Sequence, residues 1–429
     1  MKRDSLKKIE YTLGFALLSI YIFTTYVAVD VIISRSINTL TSYAFLAWGL
    51  LTTLLYGIKQ KIPTYSAWYL VFMVASLFAM GYSPEFKIMS GQFYLMIVSF
   101  FVTYFVQLFI TNGEDFKNLC WVYAISSFAM VLMLQFTGNL VGSSEERLGG
   151  ELLDNANNFA CVIMLATMLE LWLIVYKSKP FIKKILLTIM VLYNMYALAL
   201  SAGRKFFLLP FVFLYILLLC KKNKKGKRNV VLYTLIAAIL AVVAFNMIMN
   251  IPVLYDAIGT RIEASMDSEN SEKIDSGTYW SSQIRDEMRD DAIQQWWEKP
   301  LTGYGFDSYK YRAQEVVGHF YYSHCNYVEL LYNDGILYFA IYYWIYYKLI
   351  SEFFRKKNVD EKYRAFTLAV TVCMLVFDYG MVSYSVASIQ IIIALAMKVM
   401  TFENNTENII YLEENKNGQD KNLTSINKR

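Results

Sequence analysis

Charge is scarce in this chain of 429 residues. Charged residues make up 17% of it against 56% hydrophobic, a balance that a water-soluble protein of this length could not hide within one core. Metal-binding patterns are also missing: the five cysteines stand apart at 120, 161, 220, 325 and 373 with no CxxC pair, and the two histidines are His319 and His324. Neither a structural zinc site nor a disulfide framework is expected from that distribution. No Walker A loop and no GxGxxG segment occurs, so no nucleotide cofactor is expected. Nor is there an internal repeat of the kind that builds many secondary transporters.

The apolar residues gather instead into runs of about twenty, the length a helix needs to cross a bilayer. Twelve spans are predicted, at 11–33, 38–58, 64–82, 92–111, 116–137, 157–176, 182–201, 205–220, 229–250, 326–350, 363–380 and 382–400. The basic start, MKRDSLKKIE, leads into a run too long for a signal-peptide core and without a small-residue cleavage site. The first span is therefore expected to be retained. With the N-terminus in the cytoplasm, the inside segments (1–10, 59–61, 112–117, 177–184, 221–229, 355–364 and the tail) hold 26 Lys and Arg. The short outside loops hold only Arg35, Lys87, Arg147, Arg204 and Lys205. Lys and Arg near span ends stay on the cytoplasmic side, so this asymmetry sets the orientation.

The expected fold is thus all-α, a polytopic integral membrane protein with about twelve transmembrane helices and one long extracytoplasmic loop. Helices 1 to 9 are assigned to 1–250, the loop to 251–325, helices 10 to 12 to 326–401 and a disordered cytoplasmic tail to 402–429. Within the loop, MDSENSEKIDSGT (266–278) reads as a mobile surface turn. From Ser281 to Glu298, Ile284, Met288, Ala292 and Trp296 recur every four residues. That spacing predicts an amphipathic helix lying along the outer membrane face, ended by Pro300 and Gly303.

Candidate functional residues fall mostly on the predicted outer side. Arg204 and Lys205, in SAGRKFFLLP, stand where the charge rule does not place them. Either they snorkel to headgroups or they hold an anion, for which an Arg fork suits phosphate oxygens. Arg285 and Arg289 lie four apart on the loop helix, with Asp286, Asp290 and Asp291 near enough for ordinary surface ion pairs. Arg147 precedes a glycine pair and an Asn-rich helix start, where Asn155 or Asn157 can cap the sixth span. The two histidines, five residues apart, would sit about 140° apart on a helix, which disfavours a shared metal. His324 reads either as an interfacial hydrogen-bonding residue or as a base for a sugar hydroxyl. Asp30, Glu170 and Asp378 are charges inside spans, each near a span end, where a relay role is a weak reading.

Taken in order, GRKFFLLP, IRDEMRDDAIQQWWEKPLTGYGFDSY and SHCNYVELLYNDGI resemble the O-antigen ligase and O-antigen or capsular repeat-unit polymerase superfamily. Arg204 matches that family's turn arginine, and Arg285 falls fifteen residues before Pro300. PLTGYGF matches the glycine segment, while His324, Tyr327, Glu329, Gly335 and Ile336 match the closing motif. Arg147 to Ala160, with Asn157, resembles a further family stretch. The chain departs from the pattern at Cys325, where Asn is usual, at Arg289, where Trp is common, and at Lys205, where a small residue is usual.

The resemblance implies a GT-C-like membrane glycosyltransferase that needs no metal and no nucleotide sugar. Its donor would be an undecaprenyl-diphosphate-linked oligosaccharide at the outer face of the bacterial cytoplasmic membrane, with both termini in the cytoplasm. Arg204 and Arg285 would hold the diphosphate, helped by Arg147, Arg289 and Lys205. His324 would act on the acceptor hydroxyl, and Asn157, Asn326 and Tyr327 would complete substrate binding. Implied partners are membrane lipids, a chain-length regulator and a flippase, with no nucleic acid. A polymerase of capsule, exopolysaccharide or O-antigen is the leading expectation. An O-antigen ligase using the same donor, a lipid-linked oligosaccharide flippase and a non-catalytic scaffold are the alternatives.

Overall fold

A computed structural model describes residues 2–28, 33–56, 61–84, 86–142, 147–149, 155–176, 180–222, 229–267 and 270–402. Among these the regular structure is helical and contains no strand. Nine helices come first: α1 (Lys2–Val27), α2 (Arg35–Tyr56), α3 (Thr64–Met80), α4 (Phe86–Phe109), α5 (Gly113–Phe136), α6 (Ala156–Tyr176), α7 (Phe181–Leu200), α8 (Arg204–Cys220) and α9 (Val230–Asn250). Four short pieces follow: α10 (Pro252–Leu254), a π turn (Tyr255–Gly259), α11 (Thr260–Met266) and α12 (Ser271–Ile274). The chain then runs through α13 (Ser276–Trp296), α14 (Tyr309–Val317), α15 (Asn326–Arg355), α16 (Glu361–Asp378) and α17 (Ala387–Val399).

The helices α1 to α9 and α15 to α17 overlap the twelve expected spans. Among the described residues, six helices are long and apolar enough to cross a membrane, and α3 and α17 are shorter apolar helices. In α9, the most apolar of the six, only 6% of the span is buried. A helix so apolar and so uncovered has lipid, not water, as its solvent. The protein is an all-α polytopic membrane protein. Asp30, parts of the basic loops at 57–60, 177–179 and 223–228, and the tail from 403 lie outside the described residues.

At the centre, α6 is buried along most of its length among α5, α7 and α8. Glu170 on α6 is fully buried and accepts hydrogen bonds from Ser127 on α5 (3.2 Å) and Asn194 on α7 (2.9 Å). It joins three helices and has no acidic or basic neighbour among these partners, as an interhelical clasp requires in lipid. On the other side, α16 packs against α8, α15 and α17, and α17 against α4.

Three expectations change. The polar stretch 266–278 is not a plain turn: 271–274 and the residues from Ser276 are helical, because Asp275 caps α13 by accepting from the Thr278 amide at 2.8 Å. The apolar stripe of the loop helix α13 is turned onto protein. Met288 and Ala292 are fully buried against Tyr309, Ala313, Cys325 and Val328 of α14 and α15, so protein covers the stripe. The last helix begins at Ala387 instead of 382, which leaves residues 380–386 as a loop beneath the functional end.

The glycine-rich segment 300–306 owes its form to a break in α15. Gly335 adopts φ 77° and interrupts that helix. The interruption strands carbonyls that the segment then caps: Tyr304 N donates to Tyr332 O (2.9 Å), Gly305 N to Asn333 O (2.6 Å), and Ile336 N to Pro300 O (2.9 Å). A Cβ on Gly335 would meet the Leu301 backbone at 2.4 Å. Gly335→Ala is therefore expected to destabilise the protein by about 3 kcal/mol, from left-handed strain and overpacking together. Thermal unfolding of the purified variant checks this, and an unchanged melting temperature contradicts it.

Candidate active site at one end of the helix bundle

The functional end lies opposite the N-terminus of α1 and is assembled from four pieces of chain. The first is the turn between α7 and α8. Ala202 takes φ 54° there, and Leu148 N donates to Leu200 O at 3.2 Å, docking the 147–149 strip on the turn. Arg147 is held across it, donating from Nε to Ser201 O (2.8 Å) and from Nη2 to Asn157 Oδ1 (2.9 Å). Asn155 caps α6 by accepting from the Asn157 amide (2.8 Å), so the Asn157 side chain is left to orient Arg147. Arg204 opens α8 and donates from Nη1 to Arg261 O at 3.0 Å.

Arg261 belongs to the second piece, α10 to α11. Leu254 and Ile258 bury against Ala199 and Ile248, folding this stretch back over the ends of α7 and α9. Arg261 thereby reaches the site, with Asp275 at 3.8 Å. Sequence reasoning missed it, since no periodicity or motif singles out an arginine in TRIEASM.

The third piece is α13. Its buried Met288 and Ala292 fix the helix rotation, which turns Arg285 and Arg289 toward the turn arginines. Arg289 pairs with Asp286 and lies 5.3 Å from the Tyr379 ring.

The fourth piece carries His324. Glu329, fully buried on α15, accepts from the Ser323 amide at 2.8 Å. Ser323 Oγ donates to Cys325 O at 2.9 Å, and between these anchors His324 is held at φ 55°. The His324 imidazole makes no hydrogen bond to a described residue, and its ring is 6.3 Å from that of Tyr321, which in turn is 5.3 Å from His319. His319 is exposed and belongs to the aromatic edge of the site.

Asn326 and Tyr327, expected to bind substrate, are occupied by the protein. Asn326 Oδ1 accepts from the Ser383 amide (3.0 Å) and its Nδ2 donates to Tyr343 Oη (3.0 Å). Tyr327 donates to Leu375 O at 2.7 Å. Both support the floor beneath His324. Asp378 is bound into the same floor by Ser383 (2.5 Å), Tyr343 (3.0 Å) and Tyr346 (3.2 Å). Lys205 reaches it from α8 by donating to Gly380 O. Cys325 is buried with Met288 and Val328, packing as a small apolar residue where the family pattern has Asn.

Electrostatics joins the pieces. Burial, and then Arg261, Arg285 and Arg204, push Arg147 down to about 10. Arg285 is lowered by burial and then by Arg204, Arg261 and Arg289, with Asp286 opposing. Arg261 is lowered by burial, with Asp275 opposing. His324 is pushed down to about 4 by burial, then by Arg285 and Lys205. Six cations thus gather at this end of the bundle, while among the described residues the carboxylates acting on them include Asp275 on Arg204 and Arg261, Asp286 on Arg285 and Arg289, and Asp378 on Lys205. Burial and neighbouring like charges both disfavour the charged forms, and an anion among them would offset that cost.

Fold and site together define a polytopic membrane protein with an arginine cluster near a histidine that makes no hydrogen bond to a described residue. Residues 185–343 match the family model described as Wzy_C, O-antigen ligase. The matched segment contains every site cation except Arg147, and over it the chain resembles the O-antigen ligase and polymerase superfamily, whose members are membrane glycosyltransferase-like enzymes. No curated protein matches the chain.

Proposed function

We propose that the protein polymerises a bacterial surface polysaccharide at the outer membrane face. It would transfer a glycan from an undecaprenyl-diphosphate donor to a sugar hydroxyl of a lipid-linked acceptor. The observation that carries this reading is the mutual coupling of Arg147, Arg204, Arg261 and Arg285, the last of which also acts on His324, a histidine that makes no hydrogen bond to a described residue. A diphosphate brings two or more negative charges, and bidentate arginines suit its oxygens.

In the reaction, His324 takes the proton of the acceptor hydroxyl as its oxygen bonds to the donor's anomeric carbon. The bond from that carbon to the diphosphate oxygen breaks, and the electron pair leaves with the lipid diphosphate. The arginines stabilise the charge that grows there. The proton returns from His324 to solvent or to the departing diphosphate.

The family description favours ligation as the second reading. The two separate by acceptor. Purified protein is given a lipid-diphosphate repeat unit, alone or with lipid A core. Lengthening of the lipid-linked glycan on the repeat unit alone supports polymerisation, and transfer only when lipid A core is present overturns it in favour of ligation.

A further inference from the structure

The strap that links α14 to α15 carries five ring side chains in six residues: His319, Phe320, Tyr321, Tyr322 and His324. It is fixed at both ends. Gly318 closes α14 at φ 77°, its amide donating to Gln314 O at 3.1 Å, and at the other end Glu329 holds the Ser323 amide. Between them the Tyr321 amide donates to His319 O at 3.0 Å, a tight turn that brings these two side chains together. The rings are thus set before any ligand arrives.

Two of these rings are committed to protein. Phe320 stands edge-on to Tyr311 of α14, with 5.6 Å between centroids. Tyr322 Oη donates to Gln92 Oε1 at 3.4 Å, and Gln92 in turn donates to Ser385 Oγ at 2.5 Å. Tyr321 differs. It is 43% exposed, its hydroxyl makes no hydrogen bond to a described residue, and the rings beside it are two imidazoles, His319 at 5.3 Å and His324 at 6.3 Å. An exposed phenol ring on a fixed strap, flanked by nitrogen donors and acceptors, is an amphipathic surface. A pyranose has the matching character, a face of C–H groups rimmed by hydroxyls. The C–H face leaves water against a ring while the hydroxyls pair with imidazole nitrogens at its edge. Position selects the sugar: a hydroxyl that gives its proton to His324 comes within about 2.6–3.2 Å of it, and the pyranose bearing that hydroxyl then reaches the neighbouring Tyr321.

We propose that Tyr321 is the stacking platform for the terminal pyranose of the acceptor, with His319 binding a hydroxyl at that sugar's edge. This rests on the reading of His324 as the group that acts on the acceptor hydroxyl. Tyr321 contributes binding and not chemistry. Rings at a membrane interface also serve as headgroup anchors, but the two flanking imidazoles, one of them His324, favour a sugar here.

The test uses the full chain in lipid nanodiscs, titrated with the lipid-free oligosaccharide released from the repeat unit, with binding read by calorimetry and saturation-transfer NMR. Transfer to an octyl glycoside of the same oligosaccharide is followed beside it at saturating donor. Tyr321→Ala should weaken oligosaccharide binding and raise the acceptor KM, each about tenfold, with kcat changed less than about twofold. Tyr321→Phe should bind within about twofold of wild type, because the ring face and not its hydroxyl is used. His319→Ala should weaken binding about threefold, and His319→Gln should restore most of it. Sorbitol, which has hydroxyls and no ring face, should not compete. No oligosaccharide binding by wild type overturns the proposal, as does unchanged binding by Tyr321→Ala; a lower melting temperature of that variant would then assign the ring to headgroup anchoring. Equal losses for Tyr321→Phe and Tyr321→Ala overturn it too, as does a fall in kcat with KM unchanged, which would mean that Tyr321 acts through His324. The reaction fails separately: oligosaccharide held through Tyr321 with no transfer supports the platform and removes the proposed chemistry.

Discussion

Arg285→Ala and Arg204→Ala should each lower glycan transfer by about 10³-fold, while leaving the protein folded. Removing one preorganised donor from an oxyanion site costs about 10²–10³ in rate, and here the group lost also carries a full charge toward a diphosphate. Arg261→Ala should cost about 10²-fold, since it removes a guanidinium that shares the same field while keeping the backbone carbonyl that holds Arg204. Lysine at 204 should not restore activity, because a single ammonium lacks the fork that spans two oxygens. The stability readout separates this account from a folding defect. Arg285 is repelled by Arg204, Arg261 and Arg289, so deleting it should leave the melting temperature of the protein without substrate level or higher. A melting temperature many degrees lower, with activity lost in proportion, would contradict the assignment.

Replacement of His324 by Ala should cost about 10²–10⁴-fold, the usual worth of a positioned acid or base, and its pH dependence carries a signature. Burial, Arg285 and Lys205 hold this imidazole down to about 4, so it is neutral and able to accept a proton from about pH 5 upward. On the acid side, kcat/KM governed by the free enzyme should stay level until the pH nears 4. The limb in kcat should lie higher, because bound diphosphate offsets the charges of Arg285 and Lys205. Arg285→Ala should shift the free-enzyme limb upward as well, by removing the second-largest cause. The stability sign follows from the same shift. Between the ordinary histidine value of about 6.5 and the lowered one, the unfolded chain binds more protons, so stability falls as pH drops through that window. An acid limb near 6.5 in the free enzyme, unchanged by Arg285→Ala, would exclude His324 as the group titrating.

Much of the fold was legible because lipid imposes long apolar runs, and the twelve predicted segments each meet a helix. The two cationic turns and His324 were legible through motif order. What failed to show in the sequence depends on packing between distant segments. Arg261 reaches the site only because Ile258 and Leu254 bury against Ala199 and Ile248, a contact no spacing rule reveals. Period-four apolar residues told that α13 has a buried face, yet not that α14 and α15 cover it. Tyr327 carried the family signature and Asn326 stood beside it, but their polar atoms turn inward to Ser383, Tyr343 and Leu375. Gly335 showed as a motif residue, and its use as a helix break emerged only from the amides of 304, 305 and 336 that cap it.

The central claim is that the arginine cluster and His324 transfer a glycan from a lipid diphosphate. The most direct measurement reconstitutes the purified full chain in proteoliposomes with a defined undecaprenyl-diphosphate repeat unit. It follows both lengthened glycan and released undecaprenyl diphosphate, with wild type beside Arg285→Ala and His324→Ala. The account predicts one released lipid diphosphate per repeat added by wild type, and almost none by either variant. Donor that crosses the bilayer intact, with no lengthening and no release, would contradict it.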